Sequence, residues 1–213
     1  MEPPMTSRDT RATSFGEISD PSLVDRFGVW LSKRQIQHTV GGLAGKDVAD
    51  IGCGYEATNM RRYLDSVRSA LLVDLSLADD LKAHPKVTAV EGELPGVLTG
   101  LPTRSLDAIL CMSVIEHLWE PELTLREFRR LLRPGGVCAI NVPSWAGKRF
   151  LEFSAFKLGF SPAEEMEDHK TYYDPRDIWP LLVRAGFRPS HIRVFKHKFR
   201  LNTFAVCRAE KES

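Results

Sequence analysis

The stretch Val48-Ala49-Asp50-Ile51-Gly52-Cys53-Gly54-Tyr55-Glu56-Ala57 decides the fold. It opens as a short apolar run, Asp47 to Ile51, and breaks into a glycine turn. A strand that enters such a turn lets a ligand come close to the backbone, because glycine has no Cβ and tolerates positive φ. Gly52, Gly54 and Ala57 also satisfy the loose G-x-G-x-x-G/A dinucleotide fingerprint, which is weak by itself. Asp50 discriminates between ligands. A dinucleotide sets its pyrophosphate over such a turn, and an acid at the strand end repels it. S-adenosylmethionine has no phosphate and carries an ammonium and a sulfonium, so the acid attracts it. A cap on the following turn is the other role open to Asp50.

Outward from the turn the pattern repeats. Asn59 to Val67 predicts a helix, Ser69 to Leu75 a strand, Leu77 to Ala83 a short helix and Val87 to Val90 a strand. Leu106 to Met112 (LDAILCM) predicts a fourth strand and Pro121 to Leu132 an amphipathic helix closed by Arg133-Pro134-Gly135-Gly136. Val137 to Val142 predicts a fifth strand. Strands that are apolar throughout, alternating with helices, predict an α/β, Rossmann-like, mostly parallel sheet covered on both faces. Pro175 to Ala185, stopped by Gly186, predicts a last helix. Ile192 to Phe199 and Thr203 to Cys207 predict two strands around a turn at Leu201-Asn202, so one of them runs antiparallel.

The flanking segments differ in character. Residues 1–19 predict a mobile polar tail, and 20–210 a single domain. Asp20-Pro21-Ser22 starts an amphipathic N-terminal helix carrying Leu23, Val24, Phe27, Trp30, Leu31 and Ile36. A cap insertion spans about 144–172, with Trp145, Arg149, Phe150, Phe153 and Phe156 either over the ligand site or packed as core. His169, Tyr172 and Tyr173 bring three polar-tipped rings into one loop, a set able to grip a hydroxylated small-molecule acceptor.

Bulk properties narrow the function. The 213 residues carry 29 Lys+Arg against 28 Asp+Glu, a balance that argues against nucleic acid as partner. The basic residues from Arg193 to Arg200 alternate with apolar ones and fit a solvated strand face. The four cysteines, Cys53, Cys111, Cys138 and Cys207, lie in apolar runs without metal-ligand spacing, so no metal is expected. They fit small buried hydrophobes in a reducing, cytoplasmic compartment. The N-terminus lacks the apolar core of a signal peptide, and no apolar run is long enough for a membrane span. Monomer and homodimer both stay open.

The ordered motifs resemble those of class I S-adenosylmethionine-dependent methyltransferases. Val48 to Gly54 resembles motif I, and Val73-Asp74-Leu75-Ser76 the acidic end of the second strand. Ser105 to Ile109 leading to Ile115-Glu116-His117-Leu118 resembles the fourth-strand region, and Leu131 to Gly136 the turn before the fifth strand. The resemblance implies a seven-stranded sheet with an antiparallel last strand, and S-adenosyl-L-methionine as cofactor. It also implies that Asp50, Gly52, Cys53 and Gly54 line the methionine part, Asp74 holds the ribose and Leu75 packs on adenine. Glu93 then lies near the adenine amino group and Met112 flanks the methionine moiety. Glu56 stands where many members have a third glycine, and either narrows the turn or contacts the ammonium. His117, just beyond the fourth strand, is the candidate catalytic base for a hydroxyl acceptor, the alternative being that it and Glu116 only fix the loop. The His-x-x-Tyr-Tyr loop and terminal helix resemble methyltransferases of bacterial glycan or cell-envelope biosynthesis. A nicotinamide-dependent oxidoreductase and a non-catalytic S-adenosylmethionine-binding module remain as alternatives.

Overall fold

In a computed structural model of the chain, residues 14, 34–153 and 169–211 are described. Seven strands form one sheet in the order β3-β2-β1-β4-β5-β7-β6. They are β1 (Asp47–Ile51), β2 (Ser69–Asp74), β3 (Val87–Glu91), β4 (Leu106–Met112), β5 (Leu132–Pro143), β6 (Ile192–His197) and β7 (Asn202–Arg208). The pairings β1–β2, β1–β4, β2–β3 and β4–β5 are parallel. β7 runs antiparallel to both of its neighbours, β5 and β6. The last strand is therefore the reversed one, as the hairpin in the sequence predicts.

Alternation along each strand splits the core into two layers. Ala49, Ile51, Leu71, Val73, Ile109, Cys111, Cys138 and Ile140 face one way. Helix α3 (Pro121–Leu131) and helix α5 (Pro175–Arg184) cover that face with Leu125, Phe128, Leu131, Ile178 and Leu182. Val48, Ala70, Leu72, Ala108, Leu110, Ala139 and Phe204 face the other way. There they meet Ile36 and Val40 of α1 (residues 34–40), Leu81 of α2 (Asp79–Lys82), and Met60 and Leu64. Helix α4 (Trp145–Phe153) follows β5. All four cysteines are free and buried within these layers.

Three elements depart from the sequence reading. Asn59 to Val67 is not a helix. It winds through successive turns around a single 3₁₀ turn, Arg61–Tyr63. Ala57 enters with a positive φ of 43°, and Thr58, Asn59, Asp65 and Ser66 all prefer turns to helix interiors. β5 starts at Leu132 rather than Val137, with a register irregularity opposite Leu106 and Ala108 and Gly135 at φ 77°. The β6–β7 turn falls at Lys198-Phe199-Arg200, all left-handed, and Asn202 already belongs to β7. Ser144 anchors that turn: its backbone N–H donates to Leu201 O (2.9 Å) and its hydroxyl to Arg200 O (2.8 Å).

The predicted tail, except Ser14, and the N-terminal helix up to residue 33 lie outside the described residues, as do residues 154–168 of the cap. Among the described residues no helix is long and apolar enough to cross a membrane.

Candidate active site

Strand order reverses direction between β1 and β4, and open α/β sheets bind ligands in the crevice at the carboxyl ends of such a pair. Asp50 and the glycine turn lie on its β1 side, Asp74 ends β2, and Met112 ends β4.

Asp50 is 1% exposed, and neither carboxylate oxygen has a hydrogen-bond partner among the described residues. It does not cap the following turn. Burial, and then the charge of Asp74, push its pKa from 3.8 up to about 7. A buried carboxylate of this kind requires a cationic or donor partner.

Asp74 is tied into the frame. Its Oδ2 accepts from the Gly54 backbone N–H (2.7 Å), locking the glycine turn to the end of β2. Its Oδ1 accepts from the Leu75 N–H (2.8 Å) and lies 2.5 Å from the Ser14 hydroxyl. Ser14 Oγ also accepts from the Ser76 N–H (2.7 Å). A carboxylate offers about four lone-pair sites, so capacity remains for a ribose hydroxyl. Ser14 carries no signal in the sequence, because nothing local distinguishes it from the other serines of a polar segment.

The turn geometry explains its glycines. Gly52 has φ 68° and Gly54 φ 75°. A Cβ on Gly52 would fall 2.2 Å from Val114 Cγ2, so the loop after β4 packs directly on the β1 turn. Cys53 is buried with its thiol pushed up by burial, and stays neutral. Glu56 does not narrow the turn or face the crevice: its side chain is 53% exposed and pairs with Arg61 (2.6 Å). Leu75 is half-buried beside Asp74, and Glu93 is exposed after β3.

The β4 end carries a second group of residues. Ser113 adopts a positive φ of 60°, and a 3₁₀ turn, Ile115–His117, follows. The carbonyl of Glu116 accepts from the N–H groups of Lys170 (2.8 Å) and Thr171 (3.2 Å), while Tyr173 N–H donates to Pro143 O (3.0 Å). The 169–173 segment is thus laid across the ends of β4 and β5. It brings the ring of His169 to 4.7 Å from that of His117, and Tyr172 Oη to 3.0 Å from His169 Nδ1. The Glu116 carboxylate is fully buried, with both oxygens unpartnered among the described residues, and burial pushes its pKa up to about 8. Sequence reading places Glu116 only in a loop-fixing role. Its backbone does fix the loop, but its side chain is aimed elsewhere.

The candidate acceptor residues separate. His169 and Tyr172 join His117, and the Trp145 ring lies tilted against that of Tyr172 at 5.6 Å. The Trp145 indole N–H donates to Asp177 (3.1 Å), linking α4 to the first turn of α5. Tyr173 is 4% exposed and belongs to the core, and Arg149 is exposed on α4.

Comparison with known proteins agrees with this frame. Residues 49–140 match the methyltransferase domain family. A protein of Mycolicibacterium smegmatis named "Probable S-adenosylmethionine-dependent methyltransferase" is 28% identical over 180 residues, covering 81% of this chain and 64% of that protein. A ubiquinone biosynthesis O-methyltransferase of Cupriavidus pinatubonensis is 35% identical over 102 residues, 46% of this chain and 41% of that protein. The crystal structure of a SAM-dependent methyltransferase from Archaeoglobus fulgidus superposes with a TM-score of 0.58 at 14% identity, covering 88% of this chain and all of that one. By fold and by these matches, the chain is similar to class I S-adenosylmethionine-dependent methyltransferases. S-adenosyl-L-methionine is the cofactor this similarity implies. The chain spans just under two thirds of the length of the mycobacterial relative.

Proposed function

We propose that this chain transfers the methyl group of S-adenosylmethionine to a hydroxyl of a small molecule, a sugar or a glycan or cell-envelope precursor. One observation carries the cofactor half of this reading: two acids, Asp50 and Asp74, end adjacent strands at the glycine turn, and the buried Asp50 carboxylate has no partner among the described residues. An ammonium satisfies that group and a pyrophosphate does not. The same observation speaks against a nicotinamide cofactor. Asp50, Cys53 and Gly54 line the methionine part, Asp74 takes the ribose, Leu75 and Glu93 flank the adenine, and Met112 borders the methionine chain. The O-methyltransferase name of one relative supports a hydroxyl acceptor.

Methyl transfer from a sulfonium is an in-line displacement, so positioning supplies much of the rate. His117 takes the acceptor's proton, with His169, Tyr172, Trp145 and Arg149 on the acceptor side. The test is a methyl-transfer assay over a panel of hydroxylated metabolites and nucleotide sugars, run with wild type and His117→Ala. The expected result is turnover of one class of hydroxyl compound, reduced about 10²- to 10⁴-fold in the variant, with S-adenosylhomocysteine affinity retained. Unchanged turnover in the variant removes His117 from the proton-transfer role.

A further inference from the structure

Glu116, His117 and His169 each offer a ligand atom, and these atoms all lie within 4.8 Å of one another. We propose that these three side chains form a binding site for one divalent transition-metal ion at the acceptor side of the crevice. This goes beyond the methyl-transfer reading and is tested by metal binding itself.

Several independent features converge. Two imidazoles and one carboxylate are the donor set that suits Zn²⁺, Mn²⁺ or Fe²⁺, in contrast to the all-oxygen sets of Ca²⁺ and Mg²⁺. Glu116 is fully buried, and its two oxygens have no hydrogen-bond partner among the described residues, yet they lie in this cluster. A buried carboxylate is ordinarily paired or bound to metal. Lys198 is the nearby cation whose charge it feels, and that lysine donates no hydrogen bond to it. His169 Nδ1 lies 3.0 Å from the Tyr172 hydroxyl, an outer hydrogen bond of the kind that orients a metal-ligating imidazole. The segment bearing His169 is held against Glu116 by two backbone hydrogen bonds, so carboxylate and ring share one anchored unit.

The geometry is open by a small amount. An ion about 2.1 Å from each donor bridges atoms at most about 4.2 Å apart. The widest pair therefore closes by up to about 0.6 Å when the ion binds. An ion held by three protein ligands keeps a position open for an acceptor's hydroxyl oxygen, whose pKa it lowers so that the proton leaves to solvent. With the ion bound, His117 is a ligand, and the ion replaces it as the activating group.

The test is calorimetry on the untagged full chain, stripped with chelator and titrated with Zn²⁺ and separately with Mn²⁺, for wild type, Glu116→Gln, His169→Ala and Tyr172→Phe. Circular dichroism and melting curves verify that each variant is folded. The expected result is one ion per wild-type chain for at least one of the metals. Affinity should fall at least 100-fold in Glu116→Gln and His169→Ala, and about 10-fold or more in Tyr172→Phe. Absence of stoichiometric binding to wild type, or equal binding in wild type and folded Glu116→Gln and His169→Ala, overturns the site. Because no methyl donor or acceptor is present, that failure is distinct from failure of the methyl-transfer reading. If methyl transfer with His117 as base holds while no metal binds, only the ion is lost.

Discussion

Asp50 should make cofactor binding depend on pH. Its carboxyl is pushed from 3.8 up to about 7, first by burial and then by the charge of Asp74. The Cys53 and Cys111 thiols that also feel its charge are pushed upward and stay neutral. A raised pKa in the fold means that the cofactor-free protein prefers Asp50 protonated. The shift, about three pH units at about 1.4 kcal/mol each, costs the free protein about 4 kcal/mol once Asp50 ionises. That cost is absent near pH 4 and complete above about pH 7. An ammonium about 4 Å away in a partly screened site returns about 4 kcal/mol, so a ligand with a charged amino group offsets the burial. Binding should then require ionised Asp50 and release a proton below pH 7. With a pKa of about 7, S-adenosylhomocysteine affinity falls about tenfold from pH 8 to pH 6. Calorimetry in two buffers of different ionisation enthalpy measures both the affinity and the released proton. Asp50→Asn should bind more weakly than wild type at pH 8, with a flat pH profile. A flat wild-type profile, or an unchanged slope in Asp50→Asn, would refute the assignment of Asp50 to the ammonium.

Gly52→Ala places a methyl 2.2 Å from Val114 Cγ2 at a φ of 68°, and should cost about 2–4 kcal/mol, or about 6–12 °C in melting temperature. Adding Val114→Ala should recover part of that loss, and no recovery would mean that backbone strain dominates. Glu56→Ala removes an exposed ion pair with Arg61, and should change stability by under about 1 kcal/mol and S-adenosylhomocysteine affinity by less than about twofold.

The fold was legible because its signals are local and periodic. Apolar runs such as LDAILCM and SALLVD can only be strands covered on both faces, and the hairpin near residue 200 reverses the last one. The helix expected over Asn59 to Val67 failed because its apolar spacing also fits a chain of turns, and turn-forming residues at both ends decided the outcome. The grouping of Asp50, Gly52, Gly54 and Asp74 was legible for a related reason: they sit at strand ends, where sheet order alone brings them together. The Glu116–His117–His169 cluster was not. His169 stands 52 positions beyond His117, and only the docking of the 169–173 segment across β4 and β5 unites them. Glu56 was misplaced because sequence spacing cannot say which way a turn residue points, and its side chain turns to Arg61.

S-adenosylmethionine binding at the β1 turn is tested by calorimetry of the full chain with S-adenosylhomocysteine and, separately, with NAD, for wild type and Asp74→Asn. One S-adenosylhomocysteine site per chain is expected, weakened at least tenfold in Asp74→Asn, with no heat of binding for NAD. Binding of NAD without S-adenosylhomocysteine, or of neither, would contradict it.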